Sequence, residues 1–212
     1  ALDAHQLGII GSVLLFSSAI GKFINGFIAD HCNIKRFMAT GLIISTVANF
    51  SVGILGLMEA STMAFSTFAF FILFAIMWGI NGWSQSMGAA PAIIALSRWF
   101  PLKKRGTFYG FFSASHNLGE FLSFIFVGAI VGVFGWQWGF VGSSVAGIIG
   151  VFIIVFFLHD TPQSKGLPPV EVLSKEVKKE KSGQQQSTKE VQKAVLRNPL
   201  VWTLALASAF MY

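Results

Sequence analysis

The chain has 212 residues, of which 54% are apolar and only 11% are charged, whereas soluble domains carry about 25% charged residues. This composition excludes a soluble enzyme and predicts an all-α polytopic membrane protein that lies in a lipid bilayer. The formal net charge of +6 is explained below by orientation in the membrane, so no nucleic-acid partner is expected.

The first apolar run extends from Leu7 to Asp30 and contains a lysine near its middle. Its length is sufficient to cross a hydrocarbon core of about 30 Å. At ~1.5 Å per residue, Lys22 lies roughly 12 Å from the end marked by Asp30, close to the midplane. An ammonium group at that depth is costly unless it faces a wet cavity or a partner anion. Lys22 is therefore either a snorkelling or ion-paired lysine, or part of a cavity for an anionic solute.

Further apolar runs predict membrane helices at roughly 39–58, 64–96, 106–134 and 140–158, and a sixth run begins at Pro199. A kink is expected at Pro91, inside the third run. The lysine-rich, glutamine-rich stretch at about 175–197 is typical of a flexible, solvated linker.

The positive charges orient these spans. Every lysine and arginine except Lys22 lies in the loop 31–36, in the loop 98–105 or after Asp160, so these segments are predicted to be cytoplasmic. Residue 1 is then on the outer side, and we expect that a preceding span is missing from this chain. The predicted organisation is a six-span N-terminal half without its first span (1–160), a cytoplasmic linker (161–198) and the start of a C-terminal half (199–212).

The fourth run carries His116 about 15 Å from the same membrane face as Lys22. An intramembrane histidine is commonly a packed, hydrogen-bonded residue. Two basic groups at matching depth on different helices are, however, what an anion site at the midplane needs. The match therefore favours a binding site for both residues.

Glu120 lies one turn beyond His116, on the same helix face. It has three interpretations: an ion-pair partner for Lys22 or His116, a proton carrier, or a group that tunes the basicity of the histidine. The ion-pair role is preferred.

The third run offers hydrogen-bonding side chains at Asn81, Trp83 and Gln85. They could bind a hydroxylated solute. Contacts between helices are an equally good interpretation.

The first cytoplasmic loop fits the pattern G-x-x-x-D-x-x-x-x-[KR]-R at Gly26, Asp30, Lys35 and Arg36. Asp30 at a helix C-terminus and the basic pair near the next N-terminus are opposed by the helix dipoles. Such charges need partners on other helices, and they suit a latch that holds one conformation and releases in another. The alternative is a loop that only sets the orientation in the membrane, but this spacing is the cytosolic signature of the major facilitator superfamily and favours the latch, to which Arg105 is added.

Several stretches together resemble the organophosphate:phosphate antiporters of that superfamily, the glycerol-3-phosphate and hexose-6-phosphate transporters. They cover essentially the whole chain: GKFINGFIADHCNIKRFM (21–38), NGWSQSMG (81–88), RWFPLKKRG (98–106), SASHNLGE (113–120) and DTPQSKGLPP (160–169). The resemblance implies a partial major facilitator fold, comprising spans 2–6, the central loop and the start of span 7.

The resemblance also implies functional residues. Lys22 and His116 match the lysine and histidine that face the central cavity of this family and help to bind phosphate, and Asn117 follows in the same stretch. The family's two main phosphate-binding arginines, in the first and seventh spans, are expected to lie outside this chain. The chain departs from the family pattern at Ser18, Phe112, Glu120 and 88–91. The resemblance therefore does not identify the organic part of the substrate.

The prediction is an antiporter of the bacterial inner membrane, acting as a monomer, that exchanges hexose 6-phosphate or glycerol 3-phosphate for inorganic phosphate by alternating access. Its predicted substrate-binding residues are Lys22, Trp83, Gln85, His116, Asn117 and Glu120. One alternative is a membrane sensor of hexose phosphate that signals to a partner kinase, and another is a proton-coupled transporter that uses Glu120. No catalytic residue, metal or cofactor is expected, because no nucleophile, metal or nucleotide motif stands out.

Overall fold

The computed structural model describes residues 2–62, 66–168, 170 and 188–211, with backbone only at 60–62, 188–191, 204 and 208–211. The chain divides into two units, 1–176 and 177–212. Among its described residues, the first unit has five helices long and apolar enough to cross a membrane. They are α1 (Ala4–Ala29), α2 (Ile34–Thr62), α3 (Thr67–Trp99), α4 (Leu102–Phe134) and α5 (Trp136–Phe157).

Local signals in the sequence explain where several of these helices begin. Asp3 caps α1: its side chain accepts a hydrogen bond from the backbone N–H of Gln6 at 2.7 Å, and the Gln6 side-chain oxygen accepts one from the backbone N–H of Asp3 at 3.1 Å. This reciprocal arrangement, called a capping box, satisfies backbone donors that the first helical turn leaves unpaired. Gly135 alone separates α4 from α5, with φ +94°, a conformation that glycine adopts without steric cost.

The helices pack in a fixed pattern. In the first unit, α3 lies between α1 and α2, α2 also packs on α5, and α4 packs mainly on α5. An apolar cluster around Ile10, Val52, Phe70 and Phe74 joins α1, α2 and α3. Trp136 at the start of α5 stacks on Phe74 with ring centroids 6.3 Å apart. This end of the unit is therefore held by aromatic packing.

The five helices confirm the predicted fold class, and their bounds correct some predicted ends. Helix α2 begins at Ile34 rather than near residue 39, and α4 begins at Leu102 rather than at Gly106. Charged residues in these first turns remain at a polar helix end, where they do not need an apolar environment. The predicted kink residue, Pro91, is buried inside α3, which continues to Trp99.

The second unit contains α6 (Thr188–Arg197) and α7 (Pro199–Met211). Residues 188–197 were expected to be a flexible linker because they are polar, but they form a helix. A polar segment can be helical when its few apolar residues share one face. The rest of the lysine-rich stretch, 171–187, lies outside the described residues.

Candidate functional site

Lys22 lies on α1 beside the face that packs on α3. Gly21, Asn25 and Ala29 are buried on that face, whereas Lys22 is exposed and forms no ion pair within the described residues. A charged side chain next to a packed face is held at a defined height along the helix. The Lys22 side chain is therefore exposed at that height on the unit.

Hydrogen bonds between helices fix α1 against α3. The Asn25 amide donates to the Ser86 hydroxyl at 2.6 Å, and the Ser17 hydroxyl donates to the Gly79 carbonyl at 2.7 Å. Gly21 allows the close approach, because a Cβ atom there would overlap the Ser86 hydroxyl. Small residues with polar cross-links are a common way to pack helices in lipid, where apolar burial gives little driving force. The backbone that carries Lys22 is therefore well anchored.

Asn81 is a structural contact between α2 and α3. It is fully buried, and its carbonyl oxygen accepts hydrogen bonds from the Ser45 hydroxyl at 2.6 Å and from the Asn49 amide at 3.5 Å. Its own amide nitrogen has no partner within the described residues. Of the two interpretations open from the sequence, contact between helices is the one that holds for Asn81.

The other two polar residues of this stretch have different surroundings. Gln85 is exposed. Trp83 is half-buried and lines a groove between α1 and α3 with Ser12, Ser17 and Gly79, with a volume of about 630 Å³. Neither side chain is enclosed in the packed interface.

His116, Asn117 and Glu120 all lie on α4 and are exposed. No residue of α4 is buried. The ion pair predicted between Glu120 and Lys22 or His116 is not present among the described residues. The three side chains are thus carried by a helix that leaves them accessible.

The structure does not join Lys22 to His116. They lie on helices with different main neighbours, since α1 packs on α3 and α4 packs mainly on α5. No hydrogen bond connects them. Within the described part of the chain, neither lines the groove at Trp83, the cavity lined by Phe74 and Trp136, or the cavity lined by Trp99 and Phe100. What they share in this structure is exposure on helices long enough to span the membrane.

A polar network at one end of the unit ties three segments together through Asp160. One of its carboxylate oxygens accepts from the Arg98 guanidinium at 2.8 Å and from the backbone of Ile34 at 2.9 Å. Asp160 thereby links the chain after α5 to the start of α2 and the end of α3. Both contacts also suit the helix dipoles, because an anion stabilises a helix N-terminus and a cation stabilises a C-terminus.

Among the predicted latch residues, Arg105 is bonded to the last turn of α3. Its guanidinium donates to the carbonyls of Phe100 at 3.0 Å and Ser97 at 2.7 Å. These carbonyls are acceptors that a helix end otherwise leaves free. Arg105 therefore stabilises the end of α3.

The other latch residues lie at the ends of α1 and α2. Asp30 follows α1 as its C-cap, and Gly26 has open space where a Cβ atom would be. Lys35 is half-buried, and Arg36 is exposed with its backbone N–H bonded to the Asn33 side chain at 3.0 Å.

Arg98 and Asp160 were missed as a pair by the sequence interpretation. The sequence placed Arg98 in a cytoplasmic loop and Asp160 at the end of the predicted N-terminal half, each within a stretch that resembles the family, without linking the two residues. They are 62 positions apart, and their pairing follows from α3 and α5 ending at the same side of the unit. An acidic residue directly after an apolar run was the available signal.

Comparison with known proteins gives one family and several relatives. The family model of the Major Facilitator Superfamily matches residues 1–212. The chain is 37% identical to a probable hexose phosphate transport protein of Chlamydia muridarum, over 99% of this chain and 46% of the relative. It is 30% identical to the membrane sensor protein UhpC of Salmonella typhimurium and 29% identical to a hexose-6-phosphate:phosphate antiporter of Escherichia coli, over 100% of this chain and 46% of each relative.

The chain therefore spans about half the length of the curated relatives it matches. No solved structure matches it significantly.

Proposed function

The chain belongs to the major facilitator superfamily, and we propose that it forms part of a secondary transporter that exchanges an organophosphate for inorganic phosphate. It is a multi-pass membrane protein of a transporter family, not an enzyme. The proposed substrate is hexose 6-phosphate or glycerol 3-phosphate, and the proposed mechanism is alternating access between two halves. Inorganic phosphate shares the phosphoryl group of the ester, so one site can bind both.

The observation that carries this proposal is the accessible ammonium group of Lys22 within an apolar helix. Lys22 is exposed beside a face that is anchored to α3, and it is the only charge between Leu7 and Ala29. A lysine at membrane depth is stable when it faces water or an anion. Relatives whose names include hexose phosphate transport and antiport with phosphate support a phosphate group as that anion.

We assign the remaining site residues by position. His116 is proposed to bind the phosphate together with Lys22, which requires the two helices to face one cavity in the complete protein. Asn117, Gln85 and Trp83 are accessible polar or aromatic groups, and we assign them to the organic part of the substrate.

Glu120 is assigned a different role from the predicted ion pair. It is accessible one turn beyond His116, and a carboxylate at that spacing on a helix can interact with the imidazole. We propose that it contacts the organic part of the substrate, beside the phosphate bound at His116.

The Asp160 network is proposed to take part in the conformational cycle. Its contacts with Arg98 and with the start of α2 hold three segment ends together. We propose that Gly26, Asp30, Lys35, Arg36 and Arg105 contact the second half in one state and release it in the other. Charged contacts at helix ends can exchange partners without disturbing the apolar packing between helices.

We further propose that the protein lies in the bacterial inner membrane as a monomer, with its basic loops in the cytoplasm. The distribution of lysine and arginine supports this orientation. Residues 161–198 would connect the two halves on that side.

Counterflow in proteoliposomes tests the function. The full-length protein is reconstituted into vesicles loaded with phosphate, and uptake of labelled glucose 6-phosphate or glycerol 3-phosphate is measured. We expect uptake of at least one ester that depends on internal phosphate. Lys22→Ala should lower the exchange rate roughly 50-fold, since a charge-assisted hydrogen bond contributes about 1.5–3 kcal/mol.

Lys103→Ala, in the first turn of α4, is the matched control, because it removes an exposed lysine outside the site. It should exchange like the unmodified protein. Absence of uptake for both esters would contradict the proposal, and normal exchange by Lys22→Ala would remove Lys22 from the site.

The sensor relative favours a second candidate, a receptor for hexose phosphate on the same fold. It predicts binding of glucose 6-phosphate to the reconstituted protein without exchange. Co-purification of a membrane histidine kinase would support it further, whereas phosphate-dependent uptake would exclude it as the sole activity.

A further inference from the structure

Helix α6 differs in chemistry from the five long helices of the first unit. Those are apolar around most of their circumference, whereas α6 is mainly polar, with its apolar residues on one side. Lys193 and Arg197 are four residues apart and therefore share a face. Val195 falls on roughly the opposite side of the helix. A polar helix with separate basic and apolar sides is typical of segments that lie along a membrane surface.

Helix α6 is joined to the apolar helix α7 by a short, hydrogen-bonded junction. Only Asn198 separates the two helices, and its side chain accepts a hydrogen bond from the backbone of Leu200 at 3.0 Å. The Trp202 indole donates to the carbonyl of Leu196 at 2.8 Å. Because α7 is strongly apolar and tryptophan favours membrane interfaces, this junction belongs at a bilayer surface.

The exposed side chains of α6 include both apolar and basic groups, as a contact with a membrane surface requires. Val195 is 47% exposed and Leu196 39% exposed, and Lys193 and Arg197 are also exposed. The preceding stretch 171–181 has four lysines and three glutamates, a net charge of +1, so the basic charge of the contact comes mainly from α6. Basic segments directly next to a membrane helix bind anionic headgroups with about 1 kcal/mol per residue.

We propose that α6 docks on the cytoplasmic leaflet, with Val195 inserted at the acyl boundary and with Lys193 and Arg197 bound to anionic phospholipid headgroups. This inference rests on the proposed orientation and not on the identity of the substrate. Charge complementarity selects the ligand: the helix offers cations and a small apolar side, and the leaflet offers phosphates above an apolar layer. Docking would hold the linker close to the membrane between the two halves.

Depth measurement with a spin label tests this inference. A nitroxide is attached at Val195→Cys in the full-length protein, with Cys32→Ser and any other cysteines replaced. The protein is reconstituted in phosphatidylcholine alone or with a quarter phosphatidylglycerol. We expect the label to be accessible to oxygen and protected from a water-soluble nickel reagent only when phosphatidylglycerol is present.

Removing the two basic charges of α6 tests whether they bind the anionic headgroups. Lys193→Gln combined with Arg197→Gln should reduce the ratio of docked to undocked helix roughly 30-fold in phosphatidylglycerol vesicles. The control pair, Lys103→Gln with Lys104→Gln, removes two exposed charges from the first turn of α4 and should leave the label docked.

Three results would overturn the inference. They are a label equally open to nickel in both lipids, a label embedded equally in phosphatidylcholine, and a label protected from both reagents in every lipid, which would indicate packing against protein. Counterflow measured on the same vesicles separates this test from the proposed function, because lipid-dependent docking without exchange would contradict only the transport proposal.

Discussion

Helices α3 and α4 are both 33 residues long, yet they differ in how they use polar residues. Nine residues of α3 are buried, including Asn81, Ser84 and Ser86, whereas α4 has no buried residue. The buried polar groups of α3 bond to α1, to α2 or to its own backbone. On α4, His116 and Asn117 form no side-chain hydrogen bond to another described residue.

This contrast separates two roles of polar groups in apolar helices. In lipid an unsatisfied polar group is costly, so a buried one must be bonded within the protein. Those of α3 hold helices together, and within the described residues only the amide nitrogen of Asn81 lacks a partner. Those of α4 remain accessible, which is the condition for binding a solute. The three predictions below test this division, in order of decreasing effect.

The largest effect is expected at Gly82, where α3 touches the backbone of α1. A Cβ atom there would overlap the carbonyl oxygen of Leu14, which is backbone and cannot rotate away. Gly82→Ala should lower the stability of the full-length protein by about 3 kcal/mol, seen as a lower Tm in detergent. Gly88→Ala on the same helix meets open space and should leave the Tm unchanged. Equal Tm values for the two variants would show that α1 and α3 do not pack as described.

His116→Ala tests whether the exposed polar residues of α4 bind the substrate. Loss of a charge-assisted hydrogen bond to phosphate should reduce the exchange rate roughly 20-fold, while the Tm should stay constant because His116 is exposed. His5→Ala, at the exposed start of α1, is the control and should leave both quantities unchanged. A lower Tm with a normal exchange rate would make His116 a packing residue.

The smallest effect is expected at Asn81. Asn81→Ala removes two hydrogen bonds to α2, each contributing about 0.6 kcal/mol in membrane helices, so the stability should fall by about 1 kcal/mol with little change in substrate KM. Asn117→Ala on α4 should show the reverse, a normal Tm and an altered KM. If Asn81→Ala changed KM alone, Asn81 would belong to the binding site.

The sequence was sufficient to predict the five helices and the family. Continuous apolar runs identify spans because the bilayer thickness sets their length, and all five predicted runs lie within or close to observed helices. Helix ends were less accurate: α2 begins at Ile34 because charged residues at a membrane surface can be helical without being apolar. The helix at Thr188–Arg197 was missed because the segment is polar overall, which hides the grouping of its few apolar residues on one face.

The candidate site was predictable only in part. Lys22 and His116 could be selected because a charge or an imidazole inside an apolar run is locally visible. The role of Asn81 could not be, because binding and packing between helices require the same side-chain chemistry. The structure assigns it to packing through Ser45 and Asn49.

By itself the amino-acid sequence determined the membrane class, the number of long helices and the presence of Lys22 and His116 within apolar runs, since each depends on composition and spacing along one helix. Only the tertiary structure decided which polar residues bind other helices and which remain accessible. It also decided that Arg98 and Asp160 meet across 62 positions of chain, because partners from different helices depend on which faces pack together and not on spacing within either helix.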